Sequence, residues 1–161
     1  MAGNPETPER VAKIETAQRD ALAELRKFEL ALLDASSNFN KWVVSCAQAT
    51  GISNVTLSAN DVTTLRFLAC SNRPKRASEI SFALNIEDIH IVSYALKKLG
   101  RANYVDSTKV GKELFFEAAK AGQEFLEEYD KVRLSLLLGS VKIVTDGKAD
   151  LAEMAQYLRA M

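Results

Sequence analysis

Apolar positions recur at threes and fours from Val11 onward: Val11, Ile14, Ala21, Leu22, Leu25, Phe28, Leu32, Leu33, Phe39, Trp42, Val43 and Cys46. That spacing predicts one long helix from Pro8 to about Thr50, with Thr7 as cap, Pro8 at the first helical position and Gly51 as the stop. The weak helix formers between Asp34 and Asn38 mark a place for a bend or break. Ser58, followed three residues later by Asp61, opens a second helix whose apolar residues run to about Ser71. A turn at Asn72-Arg73-Pro74 leads to a short helix, Ala77 to Leu84, and a break at Asn85 or Ile86. A longer helix follows, from about Glu87 to Arg101, with Ile89, Val92, Leu96 and Leu99 as its buried stripe. The period then changes from helical to extended. Tyr104 to Ser107 and Lys112 to Glu117 read as two strands around a turn at Val110-Gly111. A helix resumes near Ala119 and reaches about Val144. A final amphipathic helix, about Asp150 to Leu158, closes the chain.

The pattern predicts a mainly α chain with one small β-hairpin. Four segments are expected: a disordered start (1–7), an N-terminal helical arm (8–57), a three-helix-plus-hairpin domain (58–117) and C-terminal helices (118–161). A helix as long as the first cannot bury an apolar stripe against a small domain alone. Pairing with a second copy of the chain is the favoured expectation, over folding back onto the C-terminal helices.

Composition narrows the function. The 161 residues are 47% hydrophobic and 26% charged, with 21 basic residues against 21 acidic. Collagen-like, disulfide-scaffold and wholly disordered classes are excluded. No apolar run reaches the roughly 18 residues of a membrane span. The polar start, with Pro5 and Pro8, has neither the basic residues nor the apolar stretch of a signal peptide, so a cytoplasmic protein is expected. Cys46 and Cys70 both follow apolar helical spacing and are expected to pack in the core. His90 is the single histidine, too few for a metal site built on it. No glycine-rich phosphate loop is present, and no enzyme chemistry or cofactor is expected.

Three compact helices followed by a hairpin is the winged helix-turn-helix order, in which the last helix before the hairpin enters the DNA major groove. Opposite the apolar stripe of that helix fall His90, Tyr94, Lys97 and Arg101, with Lys98 beside them. Cations and hydrogen-bonding groups on that side suit base edges and phosphates. Residues 58–117 hold nine basic and seven acidic residues, an excess of +2, while each flank holds six basic and seven acidic. Arg73, Lys75 and Arg76 cluster ahead of the short helix.

Several motifs in order carry a family resemblance. Glu79-Ile80 with Leu84 stands where the multiple-antibiotic-resistance regulator (MarR) family has E-L-A-x-x-L. Val92-Ser93 with Leu96 and Leu99 matches V-S-x-x-L-x-x-L, Asn103-Tyr104-Val105 replaces G-L-V, and Ala118 to Gly122 stands for L-T-x-x-G. Over about Trp42 to Leu138 the chain resembles that family of bacterial transcription regulators. The resemblance implies a homodimer on a pseudo-palindromic DNA duplex. His90, Ser93, Tyr94 and Lys97 would then approach bases. Arg73, Lys75, Arg76, Lys98, Arg101, Lys109 and Lys112 would meet phosphates, and Ser78 joins the DNA-binding set. It also implies a small aromatic effector between arm and winged domain, with Phe39, Trp42, Phe67, Phe115 and Phe116 as the candidate lining.

The departures keep a second reading open, a winged-helix protein-interaction module without DNA binding. The turn before the recognition helix is one residue longer than the family's. Glu87 and Asp88 open that helix, Ile91 faces outward, and Ala119 replaces a capping Thr. The wing lacks the family's Arg, for which Lys109 and Lys112 offer no planar fork.

Overall fold

The computed structural model describes residues 8–140. Five helices and a hairpin follow one another: α1 (Pro8–Ala49), α2 (Ala59–Ala69), α3 (Ala77–Ala83), α4 (Ile89–Arg101), β1 (Val105–Val110), β2 (Glu113–Ala118) and α5 (Lys120–Ser140). The expected disordered start, the continuation of α5 to Val144 and the closing helix at Asp150–Leu158 lie outside the described residues. The chain divides into two compact units between Trp42 and Val43.

In the first unit α1 runs unbroken through Asp34–Asn38, so the helix does not break there. Leu22, Leu25, Phe28, Leu30, Leu32, Leu33 and Phe39 are 41% to 67% exposed. A helix keeps such a stripe only if something covers it.

The second unit begins with the last turns of α1, where Val43, Cys46 and Ala47 are buried. Gly51, at φ 67°, ends the helix. Ser58 and Asp61 form the expected capping box: the Asp61 N–H donates to Ser58 Oγ at 3.2 Å, and the Ser58 N–H donates to Asp61 Oδ2 at 2.7 Å. Val62, Leu65 and Leu68 of α2, Ile80 of α3, and Val92, Ala95, Leu96 and Leu99 of α4 form the core. Ile89, expected in that stripe, is 41% exposed; α4 starts two residues later than expected, and Ala95 takes the inward place. Tyr104, Phe125 and Tyr129 stack in sequence at 5.2 and 6.1 Å, fixing α5 against the end of α4. Cys46 is fully buried as expected, and burial pushes its thiol pKa up. Cys70 is exposed, contrary to expectation. It is the C-cap residue of α2, past the end of the buried stripe.

Two asparagines shape the turns. Asn85 (φ 52°) and Asn103 (φ 61°) take the left-handed conformation one residue beyond the C-caps of α3 and α4. Around Asn103, the Tyr104 N–H donates to Leu99 O and the Asn103 N–H to Gly100 O. Around Asn85, the Ile86 and Asn85 N–H groups donate to Ser81 O and Phe82 O in the same pattern. Both are Schellman ends, with Asn in the role usually filled by glycine.

The strands pair antiparallel from Val105↔Ala118 to Val110↔Glu113, and a two-residue turn joins them with Gly111 at φ 63°. The first strand thus reaches three residues beyond the expected end at Ser107. A third segment joins the sheet. The Lys75 N–H donates to Phe116 O and the Phe116 N–H to Lys75 O, each at 2.8 Å. That bridge sets the start of α3 beside the wing.

Candidate nucleic-acid interface

The α4 helix presents its polar side as the periodicity predicts. Val92, Ala95, Leu96 and Leu99 are buried, while His90, Ser93, Tyr94, Lys97 and Arg101 are exposed. Asp88 caps the helix through its side chain, which accepts from the His90 N–H at 2.8 Å. That carboxylate neutralises the free N–H groups of the first turn.

Nine of the twelve predicted residues separate into three places. Arg76, Ser78, Ser93 and Lys97 line one groove of about 500 Å³ with Glu113, Leu114 and Phe116, where α3, α4 and β2 meet. His90, Tyr94 and Arg101 stand outside that groove on the exposed side of α4, and Tyr94 is 69% exposed. Lys109, late in β1, and Lys112, in the turn, are exposed on the wing. A second groove, about 530 Å³, adjoins the first at Ser78 and Ile89 and is lined by Phe82, Asn85, Ile86 and Glu87. Phe82 is 90% exposed there.

Lys98 is placed apart from this set. Its Nζ lies 2.6 Å from Oδ2 of Asp61, a residue 2% exposed. The ammonium thus answers a buried carboxylate on α2 and ties α4 to it.

The basic cluster before α3 carries its own counter-charges. Arg73 pairs with Glu79 Oε1. Arg76 Nε lies 3.3 Å from Glu79 Oε2, and its Nη1 2.9 Å from Glu113 Oε1. Glu79 also accepts from the Arg76 backbone N–H at 3.0 Å, one half of a capping box for α3. The Arg73 guanidinium first, then the Arg76 backbone N–H, hold the Glu79 carboxyl down at about 2. The hydrogen bonds that the Arg76 guanidinium donates to Glu113 and then to Glu79 raise its pKa in turn. In the sequence Glu79 figured only in the family motif, and its pairing with Arg73 and Arg76 was missed. Glu113 was missed as well, because it reaches Arg76 only through the hairpin register and the Lys75–Phe116 bridge.

Of the candidate effector residues, Phe39 and Trp42 fall in the first unit and Phe67, Phe115 and Phe116 in the second. Phe39 and Trp42 pair on α1 with ring centroids 5.9 Å apart. Phe116 borders the groove between α3, α4 and β2, and Phe115, its neighbour on a strand, points to the opposite face. Phe67 is half-buried on α2. Among the described residues no group of three or more His, Cys, Asp or Glu gathers to hold a metal, and no helix is long and apolar enough to cross a membrane.

Comparison with known proteins agrees with this geometry. Residues 57–122 match a family described as a winged helix DNA-binding domain. No curated protein matches the chain by sequence. Among solved structures, the chain is similar to the MarR family transcription regulator SP03579, with TM-score 0.68, 12% identity, and coverage of 89% of this chain and 93% of that one. It is similar to Sco5413, a MarR family transcriptional regulator from Streptomyces coelicolor, with TM-score 0.66, 16% identity and coverage of 88% and 94%. It is also similar to reduced AbfR bound to DNA, with TM-score 0.68, 15% identity and coverage of 89% and 97%. The fold is therefore that of the MarR regulators, a winged helix-turn-helix between helical flanks. Two of these structures carry the name of a transcription regulator, and the third is bound to DNA.

Proposed function

We propose that the protein is a transcription regulator that reads duplex DNA through α4. The observation that carries this reading is the exposed side of that helix. His90, Ser93, Tyr94, Lys97 and Arg101 stand opposite a fully apolar buried side, within the residues that match the winged helix DNA-binding family. His90, Ser93, Tyr94 and Lys97 are assigned to base edges. Arg73, Lys75, Arg76, Ser78, Arg101, Lys109 and Lys112 are assigned to the backbone. Lys98, committed to Asp61, is left out of that set.

The working form is a homodimer, supported by the exposed apolar stripe of α1. Two copies related by a two-fold axis would present their α4 helices to successive major-groove faces of a pseudo-palindromic site. A small aromatic effector stays a proposal without a described pocket. A cytoplasmic location fits a DNA-binding regulator.

Selection of bound duplexes from a random pool tests the reading. Enrichment of a palindrome is expected, and Lys97→Ala should change the enriched sequence while Lys75→Ala weakens all sequences alike. The second reading, an interaction module without DNA binding, has one favouring observation. Phe82 and Tyr94 are 90% and 69% exposed on the face in question, and Glu87 is acidic there. That reading predicts no enrichment in any pool.

A further inference from the structure

Arg76 stands in the groove between α3, α4 and the wing, where the proposed regulator would meet a phosphate, yet both of its described partners are carboxylates of its own chain. The two differ in kind. Glu79 belongs to the first turn of α3: it accepts from the Arg76 backbone N–H and also holds Arg73. It cannot leave without loosening the helix start. Glu113 has one task. Its side chain is 54% exposed at the edge of the wing turn, and Arg76 Nη1, at 2.9 Å, is its described partner. The pair joins residues 37 apart in sequence, so it exists only in the folded domain, with β2 bridged to Lys75.

The charges in this cluster cancel. Arg73 and Arg76 face Glu79 and Glu113, two positive against two negative. A guanidinium already matched by a carboxylate is not free to neutralise a phosphate, and so adds little to the release of counterions from the DNA that drives protein–DNA association. We propose that Glu113 is an internal counter-ion for Arg76, occupying the guanidinium that would otherwise hold a phosphate and so lowering the affinity of the winged domain for DNA of any sequence.

The inference rests on the DNA-binding reading, and one experiment separates the two. Binding of the full chain to a fluorescein-labelled duplex of random sequence is followed by anisotropy across a sodium chloride series. The chains are the wild type, Glu113→Gln, Arg76→Gln and the double variant. Both partners are about half exposed, so the substitutions should leave thermal melting nearly unchanged. Glu113→Gln is expected to tighten binding about tenfold at low salt, the worth of one charge-assisted contact. The log–log salt slope should steepen by about 0.9 per protomer. Arg76→Gln should weaken the wild type by much less than this gain, yet erase the whole gain in the Glu113→Gln background, which is the coupling a masked cation requires. Wild type and Glu113→Gln binding the duplex with superimposed titrations, or Glu113→Gln binding more weakly, overturns the counter-ion role and leaves the DNA-binding reading intact. Failure of every chain to bind at any salt concentration overturns both.

Discussion

Gly122 lies where α5 starts to pack against the end of α4, and the backbone there leaves no space for a side chain. A Cβ would meet Tyr104 O at 2.2 Å and Leu65 Cδ1 at 3.0 Å. The Tyr104 carbonyl is also held by the Ala119 N–H at 3.0 Å, so it cannot swing aside. Gly122→Ala should destabilise the domain by about 3 kcal/mol, the upper range for overpacking, measured by urea unfolding. Lys98→Ala should cost about 3 kcal/mol by leaving Asp61 buried without its cation, and should act on stability far more than on DNA affinity. Asn103→Val, which forces a β-branched residue into φ 61°, should cost about 1–2 kcal/mol, whereas Asn103→Gly should be tolerated. Glu79 sets a pH window. Its folded pKa, about 2, is depressed below the ordinary 4.5. The stability it contributes is therefore complete above 4.5 and is lost as pH falls towards 2. Glu79→Gln should flatten the unfolding profile in that window.

Among the elements, α1 and the hairpin show what a sequence pattern carries and what it does not. The threes and fours of α1 placed its helix within a residue of both ends, and Ser58 with Asp61 placed the start of α2. These signals are local, since each rests on residues one or two turns apart. Asp34 to Asn38 suggested a bend or break because their intrinsic propensities are weak, but no break follows, since such propensities are small against continuous helical hydrogen bonding. The wing was read too short at its first strand, because the polar run from Asp106 to Lys109 has no apolar alternation and is held by pairing with β2. Lys98 was read as outward because a helix wheel shows angles and not the carboxylate waiting on α2. The apolar stripe of α1 supports a prediction at this scale. Leu25→Glu with Phe28→Glu should convert the proposed dimer to a monomer in sedimentation equilibrium while leaving the winged unit folded by circular dichroism. An unchanged dimer mass would move the dimer contact away from α1. Trp42, the single tryptophan, offers a fluorescence readout of the same equilibrium on dilution.

For the whole molecule, a formal charge of zero sits beside a fold shared with DNA-binding regulators. Arg73 and Arg76 are answered by the chain's own carboxylates, so on the proposed reading affinity for DNA draws mainly on α4, on Lys75 and on the lysines of the wing. Fold order was legible from the sequence because three short helices and a hairpin each carry a local signal. The electrostatics of the interface were not, because Glu113 and Asp61 find their partners only after folding. The central claim, that the exposed side of α4 meets the duplex, has a built-in reporter, since His90 is the only histidine in the chain. Its ring resonances can be followed by NMR as a selected duplex is added. The account predicts that they shift in step with binding measured by anisotropy on the same samples. A duplex that binds while the His90 signals stay unmoved would contradict it.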